Sequence, residues 1–191
     1  MENTATALKE WASAVEAFLA GETILALRKG GIREETRDFE LTSDAFYFFP
    51  TYEHQKEHLL KVPYRRYAAE TKASWRPDAP VVRIKAWAEA TEDLLVEDDE
   101  RLKTLSPYHI WTDDYALERL HWKRTKPLHC LLLRVYRLET ELEVPNDPAL
   151  TGCKSWVGLP LEGGASVRRT PVLSDEAFAR KVREIREALK M

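Results

Sequence analysis

Arg28, Lys29 and Arg33 surround the paired glycines Gly30 and Gly31. Backbone N–H groups unshielded by side chains, next to guanidinium forks, form an arrangement that can hold a phosphate. The spacing matches neither a P-loop nor a dinucleotide fingerprint. The expectation is therefore anion binding of a general kind, set against the alternative of an ordinary solvated hairpin. A second concentration of chemistry lies in Tyr108, His109, Trp111, His121, Trp122, Lys123, Arg124 and Lys126. Rings that stack on bases, interleaved with cations that meet phosphates, are what single-stranded nucleic acid requires. Core packing is the competing role for Trp111 and Trp122, because large aromatics carry much of any core. With His54, the two stretches supply the candidate ligand-binding residues, and the expected partner is RNA or single-stranded DNA.

Other chemistries find less support. His54 and His58 stand four apart, the spacing of two metal ligands on one helix face, but Gln55, Lys56 and Glu57 between them break the H-E-x-x-H pattern and no third ligand is evident. No metal or other cofactor is expected. Cys153 beside Lys154 has a cation to lower its thiol pKa, yet no base is identifiable from spacing. The one E-x-K triplet, Glu70-Thr71-Lys72, lies outside any strand pattern, which argues against a restriction-endonuclease-like metal site. Glu34, Glu35, Asp38 and Glu40 are the acidic residues from which a metal-dependent nuclease or other hydrolase would have to be assembled. A protein-interaction module with a tryptophan patch is a third reading, and no catalytic residue is assigned.

The elements that must position these residues can be read from periodicity. Leu8, Trp11, Ala12, Val15, Phe18 and Leu19 recur at helical spacing, and Gly21 can end that helix with a left-handed turn. Strands are expected at Thr23 to Leu27, at Phe39 to Leu41 and at Ala45 to Phe49, the last stopped by Pro50. Thr51 is placed to cap a helix running to Leu60. Pro63, Pro77 and Pro80 bracket a basic stretch, so residues 62–80 read as a mobile loop. Val81 to Ala90 alternates as a strand does, helices follow around Asp98 to Leu105 and Asp113 to Trp122, and the apolar run Leu128 to Leu138 suits a central strand. Trp156 to Leu159 is a short strand, Glu162-Gly163-Gly164 a turn, and Ser174 starts the closing helix with Asp175 and Glu176 in its first turn.

With 191 residues, 44% of them hydrophobic, the chain is long enough for one core and short for two, so one domain over 1–191 is expected. Its 29 basic and 32 acidic residues give a net charge of -3, which excludes a sequence-wide positive field and confines any polyanion binding to a local patch. No secretory signal pattern and no apolar run long enough to span a bilayer occur, so a cytoplasmic protein without membrane contact is expected. Two cysteines without CxxC spacing are expected to be free thiols.

The stretches Leu25 to Glu34, Phe49 to Gln55, Tyr108 to Thr112, Leu133 to Leu138 and Gly152 to Trp156 resemble the bacterial domain-of-unknown-function family 1802 over nearly the whole chain. That resemblance implies no activity. A second resemblance is to ASCH domains of the PUA-like superfamily, which begin with a helix and a G-x-K-x-x-E-x-R strand and often bind RNA. Gly21 and Arg28 stand at the corresponding separation, while Thr23 replaces the lysine and Ala26 the glutamate. The amidohydrolase activity of certain small ASCH proteins depends on that lysine, so the resemblance implies the fold and not that chemistry. It implies an α+β protein whose mixed, partly closed β-barrel carries N-terminal, inserted and C-terminal helices.

Overall fold

A computed structural model describes residues 4–29, 39–122, 125–150, 154–161 and 167–191. The chain runs through β1 (Thr4–Trp11), α1 (Ala12–Leu19), β2 (Leu25–Arg28), β3 (Ala45–Thr51), α2 (Arg65–Ser74) and β4 (Val81–Val96). It continues through α3 (Asp99–Thr104), α4 (Asp113–His121), β5 (Leu128–Pro145), β6 (Trp156–Pro160), β7 (Arg169–Pro171) and α5 (Asp175–Ala188). All seven strands join one sheet in the order β2-β5-β4-β3-β1-β6, with β7 pairing β5 beyond the end of β2. β1 and β3 run parallel and the other pairs are antiparallel. The fold is thus mixed α+β. Among the described residues the hydrogen-bonded path ends at β2 and β6 without returning on itself, so the sheet is not closed by hydrogen bonds.

Side chains span the gap instead. Arg28, on the edge strand β2, donates through Nη1 to the Lys9 carbonyl at 3.2 Å and to Glu10 Oε2 at 3.3 Å. Those acceptors lie on β1, next to the opposite edge. Phe39 stacks on Trp156 of β6 with centroids 6.0 Å apart, and Trp156 Nε1 donates to the Glu40 carbonyl. A sheet flat enough to keep β2 and β6 apart could not make these contacts, so it curls. Leu8, Phe46, Phe48, Ala86, Ala88 and Leu131 to Leu133 belong to one core cluster, onto which α1 lays Val15, Phe18 and Leu19. Phe18 stacks on Phe48 at 5.3 Å, and each such fully buried apolar side chain contributes about 1.5–3 kcal/mol. A second cluster, with Tyr47, Phe49, Trp87, Leu138 and Val157, lies apart from the first.

Several expectations are corrected. The helical spacing read from Leu8 begins inside a strand: β1 is buried on both faces, Ala7 and Lys9 on one and Leu8 and Glu10 on the other, and α1 starts only at Ala12. Phe39 to Leu41 forms no strand, Phe39 being a buried plug in the seam. Pro50 does not stop β3, because there the strand has β1 as its neighbour and has already left its pairing with β4. Thr51 caps no helix, for its hydroxyl donates to the Glu10 carbonyl, and only a 3-10 turn, Glu57–Leu59, follows. Residues 62–80 contain α2, whose Tyr67, Ala68 and Thr71 are buried at helical spacing that the basic composition hides. β4 and β5 both extend well past their expected ends.

Other expectations match the structure. Ser174 caps α5 by accepting from the Ala177 N–H; Asp98 and Thr112, which the sequence reading did not single out as caps, do the same for α3 and α4. Cys130 is a free thiol, fully buried in β5, and burial pushes its pKa up to about 12. No helix among the described residues is long and apolar enough to cross a membrane.

Gly21 ends α1 with φ of +70°. A Cβ there would lie 2.8 Å from Leu173 Cδ2. Gly21→Ala combines left-handed strain with this contact, and urea unfolding should register a loss of about 1–2 kcal/mol.

Candidate functional site in the sheet seam

Of the two stretches singled out by composition, Arg28 and Lys29 from the first and Trp111 and α4 from the second reach the seam. β1 ends there because Glu10 reaches back to the start of α1, its Oε1 accepting from the Trp11 N–H at 2.8 Å. The next free helix donor, the Ser13 N–H, is taken by Gln55 Oε1 at 2.7 Å. A carboxylate at a helix start is favourable twice over, by hydrogen bond and by dipole. Glu10 Oε2 then meets Arg28, and the two side chains retain only 7% and 13% of their accessible surface. α4 packs against the end of β2 through two reciprocal contacts: Lys29 Nζ donates to the Leu120 carbonyl, and Arg119 Nη2 donates to the Lys29 carbonyl at 3.0 Å. Above these charges stand three rings, Trp11 edge-on to Trp111 at 5.0 Å and stacked with Tyr115 at 6.3 Å.

Electrostatically the seam holds more cation than anion. Burial lowers the pKa of Arg119, opposed by Tyr115 and reinforced by Arg28 among its charged neighbours. Burial, then Arg119, lowers that of Lys29. Glu10 is a carboxylate common to the surroundings of Arg28, Arg119 and Tyr115. Arg28 uses Nη1 alone. Its Nε is buried without a hydrogen-bond partner, and among the described residues its Nη2 makes none either. A guanidinium Nε–Nη2 edge presents two parallel donors, the geometry that grips a phosphate or carboxylate side-on.

The residues expected to bind ligand therefore separate. Arg28 and Lys29 lie in the seam, although the Lys29 ammonium is turned inward to a helix carbonyl. Trp111 is 7% exposed and supports the ring stack from below rather than offering a face. Tyr108 is half-buried, its carbonyl accepting from Thr23. Trp122 is exposed at the end of α4. His54 is exposed on the turn after β3, where its neighbour Gln55, not the imidazole, joins the α1 start. Gly30, Gly31, Arg33, Lys123 and Arg124 lie outside the described residues, as do Glu34, Glu35, Asp38 and Cys153. No group of three or more His, Cys, Asp or Glu placed to hold a metal ion occurs among the described residues.

Glu10, Trp11, Tyr115 and Arg119 escaped the sequence reading. Trp11 read as part of a helical apolar face, and Tyr115 and Arg119 fell within the helix expected from Asp113 to Trp122. The single available signal was Lys9-Glu10 itself, two charges set between Leu8 and Trp11 in a run otherwise fit for burial.

His109 is buried for a different reason. It is 2% exposed, its Nδ1 has no partner, and burial followed by the Lys61 charge brings its pKa down from 6.5 to about 4. Lys61 binds the same corner, donating to the carbonyls of Ser106 and His109.

Fold and site together define a curled-sheet α+β protein with a cation-rich seam. The family model described as domain of unknown function DUF1802 matches residues 7–184, and the chain belongs to that family. No curated protein and no solved structure gives a significant match.

The folded pKa of His109 lies below the unfolded value, so between pH 6.5 and 4 the unfolded chain takes up a proton that the native protein refuses. Stability should fall with pH across that window and level off below it, by about 3 kcal/mol in all. Chemical denaturation at a series of pH values should show this slope flattened in His109→Asn, whatever that variant's absolute stability.

Proposed function

We propose that the protein is a binding module for phosphate-bearing ligands of the nucleotide and nucleic-acid class. On this reading a partly closed, PUA-like barrel is the scaffold and the seam is where the phosphate is held. One observation carries the reading: Arg28 is anchored by Nη1 to β1 while its opposite edge, with Nε buried, lacks a partner. An unsatisfied guanidinium edge in a low-dielectric site costs free energy, and an anion filling it recovers that cost. Arg119 and Lys29 add positive potential beside it, and the Trp11 and Tyr115 rings bring π-surface to the same place. The Tyr108 to Arg124 stretch contributes through α4 and the exposed ring of Trp122.

Arg28→Ala should weaken binding of a labelled single-stranded oligonucleotide by roughly ten- to hundredfold, because a charged hydrogen-bond pair is lost. It should also flatten the salt dependence by about one phosphate contact. Arg28→Lys keeps the charge and loses the fork, so it should rescue little. Glu10→Gln works in the opposite direction: with the competing carboxylate gone, affinity should rise severalfold even as the protein loses stability. Fluorescence anisotropy across a salt series separates these outcomes. Equal binding by wild type, Arg28→Ala and Glu10→Gln would remove the seam from consideration.

A further inference from the structure

His129 and Asp93 form a pair at the same seam whose chemistry differs from that of Arg28. Arg28 and His129 are direct cross-strand partners in β2 and β5, so their side chains leave the same face of the sheet with Cβ atoms roughly 5 Å apart. The buried ring of Phe39 touches both, with the guanidinium 5.4 Å and the imidazole 5.2 Å from its centroid. His129 Nδ1 lies 2.8 Å from Asp93 Oδ2. An ionised carboxylate can only accept, so Nδ1 carries the hydrogen, and the neutral imidazole keeps its lone pair on Nε2. Nε2 has no hydrogen-bond partner among the described residues. The pair is not needed to join its strands, because the β4–β5 ladder already runs unbroken from Glu92–Leu132 to Val96–Leu128 around it.

The seam thus sets a phosphate donor beside an oriented acceptor. The ligand group that suits this acceptor is an O–H or N–H donor covalently close to a phosphate. A ribose 2′-hydroxyl is such a donor, and its absence from deoxyribose is what lets a protein tell RNA from DNA. We propose that the seam selects ribonucleotides, the phosphate lying on Arg28 and the adjacent 2′-hydroxyl donating to His129 Nε2. This inference rests on the binding reading given above. Asp93 acts as a positioning residue that fixes the tautomer and orientation of His129.

Three oligonucleotides of one uridine-type sequence, with ribose, deoxyribose and 2′-O-methyl sugars, test the inference by anisotropy at mildly alkaline pH. Wild type should favour the ribose form roughly fivefold, the worth of one hydrogen bond, and should bind the 2′-O-methyl form no better than the deoxy form. His129→Phe should abolish that preference, read as the ratio of ribose to deoxy affinity within the variant. Asp93→Asn should reduce it in the same way, and His129→Gln, whose amide oxygen accepts, should restore part of it. If wild type binds all three alike while Arg28→Ala still loses binding, the ribose inference is overturned and the seam reading stands. If no oligonucleotide binds, both fall. The 2′-O-methyl comparison needs no variant, so a misfolded His129→Phe leaves the test intact.

Discussion

The contact between Arg28 and Glu10 holds the sheet in its curled form. Seven strands joined edge to edge would leave β2 and β6 as free margins of a twisted ribbon, each margin carrying unpaired backbone donors and acceptors. Closing the ribbon by hydrogen bonds would require β2 to run alongside β6 or β1, and β2 is only four residues long. An arginine provides the missing reach: its stem crosses the gap and its Nη1 ends on a β1 carbonyl and a β1 carboxylate together. Once β1 and β2 are tied, the concave face is narrow enough for α1 to cover. Phe39 and Trp156 then fill what remains of the opening.

Glu10 is the other half of this constraint and serves three elements, two through its side chain and one through its backbone. It takes the first donor of α1, accepts from Arg28, and through its backbone carbonyl accepts from Thr51 of β3. The turn from β1 into α1, the β1–β3 pairing and the seam are therefore mechanically one unit. Removing either partner of a mostly buried ion pair leaves the other charge uncompensated, which costs more than the pair contributes when intact. The same logic explains why α4 docks where it does. Its last turn offers the Leu120 carbonyl to Lys29, and its Arg119 returns a donor to the Lys29 carbonyl, so the otherwise exposed end of β2 is satisfied by a helix rather than by another strand.

How much of this was legible beforehand follows from the range of the interactions. Strand β5 was visible because an apolar run fit for a doubly covered strand is a local property of Leu128 to Leu138, and the cap Ser174 was visible because capping acts over three residues. Arg28, Lys29 and Trp111 stood out by type. Their partners did not, since Glu10 meets Arg28 only after the sheet curls, and His129 meets Arg28 only once the β2–β5 register is set. The β1–α1 boundary was hidden for a different reason: Leu8, Trp11 and Val15 satisfy a helical period by accident of a strand feeding directly into a helix. In α2 the burial of Tyr67, Ala68 and Thr71 is real, but four cationic neighbours from Lys61 to Lys72 and the bracketing prolines outweigh it in any reading by composition.

The histidines show how one residue type is put to separate uses by position in this fold. His109 is enclosed where α3 gives way to α4, beside the Lys61 ammonium, and the cost of burying a second positive charge there keeps it neutral. Its lone unpaired nitrogen faces protein, so it stabilises the fold only while it refuses a proton. His129 sits at a strand position that shares its face with an arginine and leans on a carboxylate, so its ring is oriented rather than silenced. The two environments differ first in burial, which is the larger influence on His109, and then in the nearest charge: an ammonium for His109, a carboxylate for His129. A seam that sets Arg28 and His129 against one phenylalanine ring, with Asp93 holding the imidazole, therefore combines a fixed cation with a hydrogen-bonding group of set direction, which is what the proposed recognition of a sugar-phosphate demands beyond attraction to phosphate alone.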